Sequence, residues 1–223
     1  MSENTYTYQR PGSFFDRLSL RKRMEMLDRF LNVFPGHETN SVLDVGVTAD
    51  KSFSASNYLE KYYPVKSKIT ALSNQDASYL EDIYPGLTFR LGDARALPFA
   101  DNSIDVVFSS AVLEHVGSFD NQKKMIAECY RVAKHGIFIT TPNRWYPIEF
   151  HTLLPLLHWL PKTLHRVLLK IAGMPFYASE NNLNLLGRQH LARLCRDIGI
   201  ERFDIETIKT FGLPSNLILI AKK

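Results

Sequence analysis

The chain has 223 residues, of which 45% are apolar, and this is enough to bury the core of one sizeable domain. Its formal net charge of +4 is mild, and its Lys and Arg residues are scattered apart from small groups such as Arg21 to Arg23, so composition does not favour a nucleic-acid-binding protein. The N-terminal stretch lacks the basic start and apolar segment of a signal peptide, and no uncharged apolar run reaches the length of about 20 residues that a membrane-spanning helix needs. A cytoplasmic protein is therefore expected.

Strands and helices alternate along the chain. After a loose arm over residues 1–12, apolar residues three and four positions apart predict a helix that ends at Pro35. Strands are predicted at residues 42–45, 68–72, 87–91, 104–109 and 136–140, and the helices between them at residues 51–63, 76–84 and 121–134. Such alternation is typical of a doubly wound α/β fold, in which right-handed crossovers bring the C-terminal ends of the parallel strands to one ligand-binding edge.

The rest of the chain adds a helix at residues 188–198 and strands at residues 202–208 and 216–220. The loop between these two strands is too short for a parallel crossover, so an antiparallel pair is predicted. The fold class is then a seven-stranded, mostly parallel sheet with an antiparallel last strand. Residues 142–184 interrupt the alternation and are interpreted as a helical cap insertion, within a single domain over residues 1–223 that begins with an arm and helix at residues 1–40. Cys129 and Cys195 lie on apolar helix stripes, which indicates packed, reduced thiols.

The first predicted strand stops at Gly46. A glycine there allows backbone to approach a ligand closely, and the helix that follows would point its N-terminal amides at the same crevice. This pattern suggests a nucleotide-like cofactor, although a single glycine at a strand end is weak evidence without further motifs.

Three segments supply further motifs: VLDVG at residues 42–46, LGDARALPFADNSIDVVFSSAVLEHV at residues 91–116, and ECYRVAKHGIFITTPN at residues 128–143. Together they resemble the class I S-adenosylmethionine-dependent methyltransferases, in particular the small-molecule branch (methyltransferase type 11) related to the ubiquinone-biosynthesis enzymes. The resemblance covers the sheet from its first strand to its fifth and fades in the insertion. It implies S-adenosyl-L-methionine as cofactor and S-adenosyl-L-homocysteine as product.

The resemblance also implies positions for the cofactor. Asp93 stands at the position of the acidic residue that, in the family, accepts a hydrogen bond from the adenine amino group of the cofactor. Asp44 and Gly46 stand at positions that contact the amino acid end and the ribose of the cofactor. Alone, Asp93 would be interpreted as a turn or helix-capping residue. The full set of predicted cofactor-binding residues is Asp44, Gly46, Val47, Thr48, Asp50, Ser73, Asn74, Asp76, Gly92, Asp93, Ala94, Ser109, Ser110 and Ala111.

Two positions depart from the family pattern. Thr48 and Asp50 replace two glycines of its glycine-rich loop, which strains any left-handed backbone required there. Ser73 replaces the acidic residue that binds both ribose hydroxyls, and a serine cannot accept two donors as a carboxylate does. Three accounts are open: one of residues 74–76 binds the ribose hydroxyls in place of the missing acidic residue, Asp50 turns inward to bind them, or the site has lost cofactor affinity. We favour substitution, and the third account leaves a degenerate binding or scaffold protein as an alternative.

A methyl sulfonium is already a strong electrophile, so the protein must align an acceptor and exclude water, with a base only where the acceptor carries a proton. Candidate catalytic residues after the fourth strand and at the start of the insertion are Glu114, His115, Tyr146, Glu149 and His151. Alternatively, Glu114 and His115 orient a short helix, while His151 and His158 only pack. No metal-ligand pattern is found in the sequence, and no metal is expected.

The insertion should lie over the cofactor edge of the sheet and select the acceptor. Its first half predicts an apolar helix from Leu153 to Leu160, between Pro147 and Pro161. A second helix over residues 161–172 has an apolar face and a basic face, the latter with Lys162, Arg166 and Lys170. Such a helix is suited to peripheral contact with the inner face of an anionic membrane. Alternatively, it is a lid helix with solvated lysines.

The sequence thus predicts a methyltransferase that methylates a hydroxyl of a small molecule, a glycan or a lipid-linked acceptor. The alternatives are transfer to nitrogen or carbon and the scaffold protein. A nucleic-acid substrate ranks lower, because the position after the fourth strand reads SSAVLEHV rather than the polar, Pro-containing motif that holds a flipped base. The identity of the acceptor and the oligomeric state do not follow from the sequence.

Overall fold

The computed structural model describes residues 10–223, so most of the predicted N-terminal arm lies outside the described residues. Seven strands form one sheet in the order β3-β2-β1-β4-β5-β7-β6. Their bounds are Val42–Val45 (β1), Ile69–Ser73 (β2), Thr88–Leu91 (β3), Ile104–Ser110 (β4), Ala133–Pro142 (β5), Phe203–Thr210 (β6) and Leu213–Lys222 (β7). Strand order reverses between β1 and β4, which is where ligands bind in this kind of sheet.

The first five strands pair in parallel, and β7 runs antiparallel to both of its neighbours, β5 and β6. The short connection at residues 211–212 allows only an antiparallel pairing of β6 with β7. The predicted fold class is therefore confirmed, including its antiparallel last strand.

The helices are Phe14–Val33 (α1), Tyr58–Tyr62 (α2), Tyr79–Ile83 (α3), Phe119–Val132 (α4), Lys162–Ile171 (α5), Pro175–Ala178 (α6) and Arg188–Asp197 (α7), with short 3-10 turns at Leu113–His115 and Leu157–Trp159. Within the described part of the chain, no helix combines the length and apolarity needed to cross a bilayer.

Apolar residues cover both faces of the sheet. On one face α4 and α7 pack with β1, β4 and β5, and the predicted thiols Cys129 and Cys195 are free and buried there. On the other face α1 places Phe30 edge-on against Phe108 and Phe138, at ring-centroid distances of 5.0 and 5.4 Å. Burying one such ring contributes about 1.5–3 kcal/mol, so α1 is fixed firmly against the sheet beside the ligand edge.

Three predicted helices are wrong or too long, and the one predicted over residues 76–84 is confined to α3. The helix predicted over residues 51–63 is confined to α2, because Asn57 adopts a left-handed conformation with φ 49° and the residues before it form turns. The helix predicted from Leu153 to Leu160 is replaced by turns and a short 3-10 segment. Leu153 and Leu156 have positive φ, and the ring of Pro155 restricts the residue before it.

The cap insertion, residues 142–184, forms a small core of its own around Leu169 and Tyr177. Its second predicted helix is confirmed as α5. The return segment of the cap reaches back to the sheet edge, where the Asn184 amide donates to the Glu114 carbonyl over 2.8 Å. The cap is thereby tied to the turn that follows β4.

Candidate functional site

A cavity of about 600 Å³ opens at the C-terminal ends of the parallel strands. Its walls come from the turns after β1, β2, β3 and β4, from α1, and from the cap residues Phe150, His151 and Asn181. A volume in this range accommodates a nucleotide-sized ligand with part of a second molecule. The predicted cofactor residues that line it are Asp44, Gly46, Val47, Thr48, Asp50, Ser73, Asn74, Gly92, Asp93, Ala94, Ser110 and Ala111.

Gly46 makes the first turn possible. Its φ is +99°, and a Cβ atom placed on it would lie 2.2 Å from Cγ2 of Val112. The amide nitrogen of Gly46 donates to the Leu72 carbonyl over 2.7 Å, which bends the chain sharply away from β1. Only glycine fits this position without moving the turn after β4.

The loop at Thr48 and Asp50 is ordered by Asn57 rather than by glycines. The Thr48 amide donates to Asn57 Oδ1, and Asn57 Nδ2 donates to the Thr48 carbonyl, each over 2.9 Å. Neither Thr48 nor Asp50 has a positive φ. The strain expected from replacing two glycines is therefore absent, and with it one argument for a degenerate site.

The end of β2 offers neutral polar groups in place of a carboxylate. Ser73, Asn74 and Gln75 line the cavity, and Ser73 Oγ accepts a hydrogen bond of 3.2 Å from the Gln75 amide. The structure does not bring Asp76 to the cavity, because its carboxylate accepts from the Ser78 amide, which lowers the Asp76 pKa. Of the predicted substitutes, Asn74, Gln75 and Asp50 remain at the cavity wall.

Asp93 forms a bidentate pair with Arg95. Nη2 and Nε of Arg95 donate to Oδ2 and Oδ1 of Asp93 over 2.6 and 2.9 Å, and these hydrogen bonds lower the Asp93 pKa. The Asp93 side chain is still 45% exposed, so its carboxylate can accept a further hydrogen bond from a ligand.

After β4, Ser110 and Ala111 line the cavity, whereas Ser109 is fully buried and donates to the Val45 carbonyl over 2.7 Å. The structure thus does not bring Ser109 to the cavity. The Ala111 amide is also engaged, since it donates to the Thr140 carbonyl over 3.0 Å. Ala111 has φ +57°, a conformation that turns the chain toward the 3-10 segment at Leu113–His115.

Two buried carboxyl groups meet beside the cavity. Asp44 lines it, and Glu60 on α2 is fully buried with no donor to either of its oxygen atoms among residues 10–223. Burial raises the pKa of both groups, and the charge of Glu60 raises that of Asp44 further, so the pair favours retaining a proton. Arg23 of α1 opposes the rise at Asp44.

The predicted catalytic residues Glu114, His115, Glu149 and His151 come together where the cap meets the turn after β4. The two histidine Nε2 atoms are 3.1 Å apart, and both rings line the cavity. His115 Nδ1 lies 2.6 Å from the Asn182 carbonyl, and His151 Nδ1 lies 2.5 Å from Oε1 of Glu149.

These partners fix the protons of the pair. A carbonyl and a carboxylate only accept, so both Nδ1 atoms are donors, and the contact between the Nε2 atoms needs one further proton. Burial lowers the His151 pKa, but the charge and hydrogen bond of Glu149 outweigh it and the pKa is raised. Burial lowers the His115 pKa, so His151 holds the proton and His115 Nε2 accepts it.

Glu114 stands behind this pair. It is fully buried, and its Oε2 accepts a hydrogen bond of 2.9 Å from Thr141. Its Oε1 is 3.9 Å from His115 Nε2 and has no hydrogen-bond partner within the described residues. Tyr146, the fifth candidate, is buried in the cap, stacked on Phe150 at a centroid distance of 5.1 Å, and does not line the cavity.

Sequence reasoning missed the contribution of α1 and α2. Ser19, Lys22, Arg23 and Met26 of α1 line the cavity, as do Asn57 and Tyr58. The Tyr58 hydroxyl donates to Ser110 Oγ over 3.1 Å and so links α2 to the end of β4. The polar residues Lys22 and Arg23 next to an apolar helix stripe gave no signal that distinguishes them from a solvated face.

Comparison with known proteins agrees with this geometry. A family model described as a methyltransferase domain matches residues 43–140. A probable S-adenosylmethionine-dependent methyltransferase of Mycolicibacterium smegmatis is 38% identical over 63 residues, covering 27% of this chain and 23% of that protein. The demethylmenaquinone methyltransferase of Renibacterium salmoninarum is 50% identical over 52 residues, covering 23% of this chain and 21% of that protein. The chain thus aligns with less than a quarter of the length of either curated relative.

Among solved structures, the magnesium protoporphyrin IX methyltransferase of Synechocystis, with bound SAH, aligns with a TM-score of 0.59 at 15% identity, over 96% of this chain and 90% of that one. At this identity the likeness shows the fold.

Proposed function

We propose that this chain, which matches a methyltransferase domain model over residues 43–140, transfers the methyl group of S-adenosylmethionine to a hydroxyl oxygen of a small-molecule, glycan or lipid-linked acceptor. The match to the domain model and to S-adenosylmethionine-dependent relatives supports the cofactor and the type of reaction. The atom methylated and the class of acceptor are inferred from the cavity and the cap.

The cavity fits the cofactor. Asp93 with its neighbouring backbone would hold the adenine, residues 73–75 with Asp50 the ribose hydroxyls, and Asp44 beside Gly46 the ammonium group of the zwitterionic amino acid end. The close approach permitted at Gly46 and the buried carboxyl of Asp44 both suit a zwitterionic, positively charged ligand. When bound, the cofactor supplies an electrophilic methyl group.

The observation that carries the oxygen proposal is the His115–His151 pair at the cavity wall. A neutral amine can attack a methyl sulfonium directly, whereas a hydroxyl is a weak nucleophile until its proton is bound or removed. Two hydrogen-bonded imidazoles, anchored from behind by Glu149 and the Asn182 carbonyl, supply polar groups for that purpose at a fixed place.

The cap supports an apolar or lipid-linked acceptor. Leu164, Val167 and Ile171 on α5 are 46%, 47% and 77% exposed, because α5 buries His165 and Leu169 instead. No Asp or Glu occurs between Glu149 and Glu180. Lys162 donates to Asn184 and Arg166 pairs with Glu180, so the exposed Lys170 is the basic group beside this face. An apolar surface with a basic edge is suited to an anionic membrane.

The test is methyl transfer from labelled S-adenosylmethionine to matched acceptor pairs. Each pair consists of a phenol or a polyprenyl-phosphate-linked sugar and its analogue without the hydroxyl. We expect label on the hydroxyl compound alone, together with S-adenosylhomocysteine, and a loss of about 10²-fold or more in kcat for His151→Ala. Label on nitrogen or carbon, or equal transfer to the analogue, would overturn the oxygen proposal.

A further inference from the structure

Two histidines at the cavity wall and a carboxylate buried behind them have the arrangement of metal ligands. One ligand atom each from Glu114, His115 and His151 lies within 4.8 Å of the other two. The two Nε2 atoms are 3.1 Å apart, which is close to the spacing of two nitrogen atoms that share one ion at about 2.0–2.1 Å. Sequence spacing concealed this set, because 36 residues separate the two histidines.

Both imidazoles also have the outer partners of metal ligands. Histidine ligands usually donate their second ring N–H to a carboxylate or a backbone carbonyl, which fixes the tautomer and aims the other nitrogen at the ion. His151 Nδ1 has Glu149 in that position, and His115 Nδ1 has the Asn182 carbonyl. Both Nε2 atoms are therefore left facing each other at 3.1 Å, with Glu114 Oε1 3.9 Å from that of His115.

The carboxylate of Glu114 gives independent support. Its Oε1 is fully buried, has no hydrogen-bond partner among residues 10–223, and lies on the side of His115 Nε2 at 3.9 Å. An unsatisfied buried carboxylate oxygen is costly, and a cation between it and the imidazoles would satisfy it. Glu114 cannot turn away, because Thr141 holds its other oxygen.

We propose that Glu114, His115 and His151 bind one divalent transition-metal ion, with zinc as the ion that best fits two imidazoles and a carboxylate. This donor set leaves an open position toward the cavity, as in catalytic zinc sites. On binding, the ion takes the lone pairs of both Nε2 atoms, and the proton that the pair shares is released to solvent.

The role of the ion in the reaction rests on the proposed function. An acceptor hydroxyl in the open position would lose its proton to solvent more readily. Its oxygen lone pair then forms the bond to the methyl carbon, while the carbon–sulfur bond breaks and its electrons stay on sulfur as S-adenosylhomocysteine. The ion also explains why acid–base groups of the cap and of the turn after β4 converge on one point.

The experiment is titration of zinc chloride and manganese chloride into the full chain after removal of metals with a chelator, without cofactor or acceptor. We expect one zinc ion per chain, bound at least about tenfold more weakly by His151→Ala and by Glu114→Gln, and weakened by about 10- to 100-fold in Glu149→Gln, which keeps all three ligands. His135→Ala removes a 58% exposed histidine outside the cavity and should bind zinc unchanged.

Titration of S-adenosylhomocysteine into each variant separates the outcomes. A variant with unchanged affinity for S-adenosylhomocysteine has a folded cofactor site. Zinc binding that is equal in wild type and His151→Ala would overturn the metal site, even if methyl transfer is observed. If Glu114→Gln does not fold, the comparison of wild type with His151→Ala still tests the metal site. The His151 imidazole lies at the cavity surface, so its removal should disturb folding less. Zinc binding without transfer to any hydroxyl would instead count against the proposed function alone.

Discussion

At Asp93 we expect a single carboxylate to serve both its own loop and the cofactor. Asp93→Ala should lower the affinity for S-adenosylhomocysteine by about tenfold or more, since a hydrogen bond to a charged group contributes about 1.5–3 kcal/mol. Arg95→Ala is the matched control, because it removes the partner seen at 2.6 Å and leaves the carboxylate in place. Isothermal titration of both variants should give a large loss for the first and at most about a threefold change for the second. Equal losses would mean that Asp93 only shapes the turn.

Gly46 allows a sharper test of the turn after β1. Gly46→Ala should reduce the free energy of unfolding by about 2–4 kcal/mol and abolish cofactor binding, because the new methyl group meets Val112 at 2.2 Å in a left-handed backbone. Gly212→Ala is the control, since Gly212 has φ +81° and nothing within 4 Å, and it should cost only about 1–2 kcal/mol. Chemical denaturation measures both. Similar losses would show that backbone strain, and not the contact with Val112, sets the requirement.

The individual residues of the site were predictable to different degrees. Asp93 and Gly46 stand in motifs, so their place at the cavity followed from the resemblance. The meeting of His115 with His151 could be expected only as a cluster of candidates, because the distance between them depends on how the cap folds. Asn57 could not be found, since its role is to hold Thr48 across a turn that the sequence pattern presented as a helix.

Among the elements, α5 carries a testable surface. Leu164→Ser combined with Ile171→Ser should reduce co-sedimentation with anionic vesicles by about tenfold while leaving the melting temperature within about 2 °C, because both side chains are exposed. Ile83→Ser, at a 53% exposed residue on α3, is the control. Lys170→Ala tests the charge component separately, because Lys162 and Arg166 are held by Asn184 and Glu180. If the intact chain does not bind anionic vesicles, the membrane proposal fails.

Element types were easier to predict than their lengths. Every predicted strand exists, and β1, β4 and β5 are the buried parallel strands whose apolar runs few other structures produce, whereas β3 is a largely exposed edge strand. In the cap, the helix predicted from the Leu spacing is wrong. The Leu153 amide donates to the Glu149 carbonyl and the Leu156 amide to the Pro147 carbonyl, and these hydrogen bonds close turns around Pro155 instead. Periodicity reports which positions can share a face, and it does not report whether a proline or a turn hydrogen bond prevents the helix.

For the whole molecule, the Asp44–Glu60 pair predicts how stability varies with pH. Burial raises the pKa of both groups, so the folded chain keeps a proton that the unfolded chain releases near pH 4. The stability that this pair contributes is fully present below the pKa that the carboxyl groups have in the unfolded chain. It is lost as the pH rises through their higher pKa in the folded chain. The charge of Arg23 opposes the rise in the Asp44 pKa, and that of Lys66 opposes the rise in the Glu60 pKa. Tyr58 also faces the pair, and burial raises its own pKa.

The measurement is the free energy of unfolding from pH 5 to pH 8 for wild type and Glu60→Gln. Removing the shared proton should make the profile of the variant flatter, by up to about 1.4 kcal/mol per pH unit over the range in which the pair titrates. Taking the difference between the two proteins cancels groups that they have in common. Parallel profiles would show that the pair holds no extra proton in the folded state.

The position of β7 between β5 and β6 has a consequence for how the chain folds during synthesis. Among residues 10–223, β6 pairs only with β7, and β7 follows it in the chain, so β6 cannot join the sheet until residues 213–222 have been synthesised. Until then the long apolar edge of β5 is open, and such an edge is a template for pairing with another chain. The β6–β7 hairpin therefore covers the β5 edge late in synthesis, and we expect truncation within residues 213–222 to favour aggregation over a partly active product.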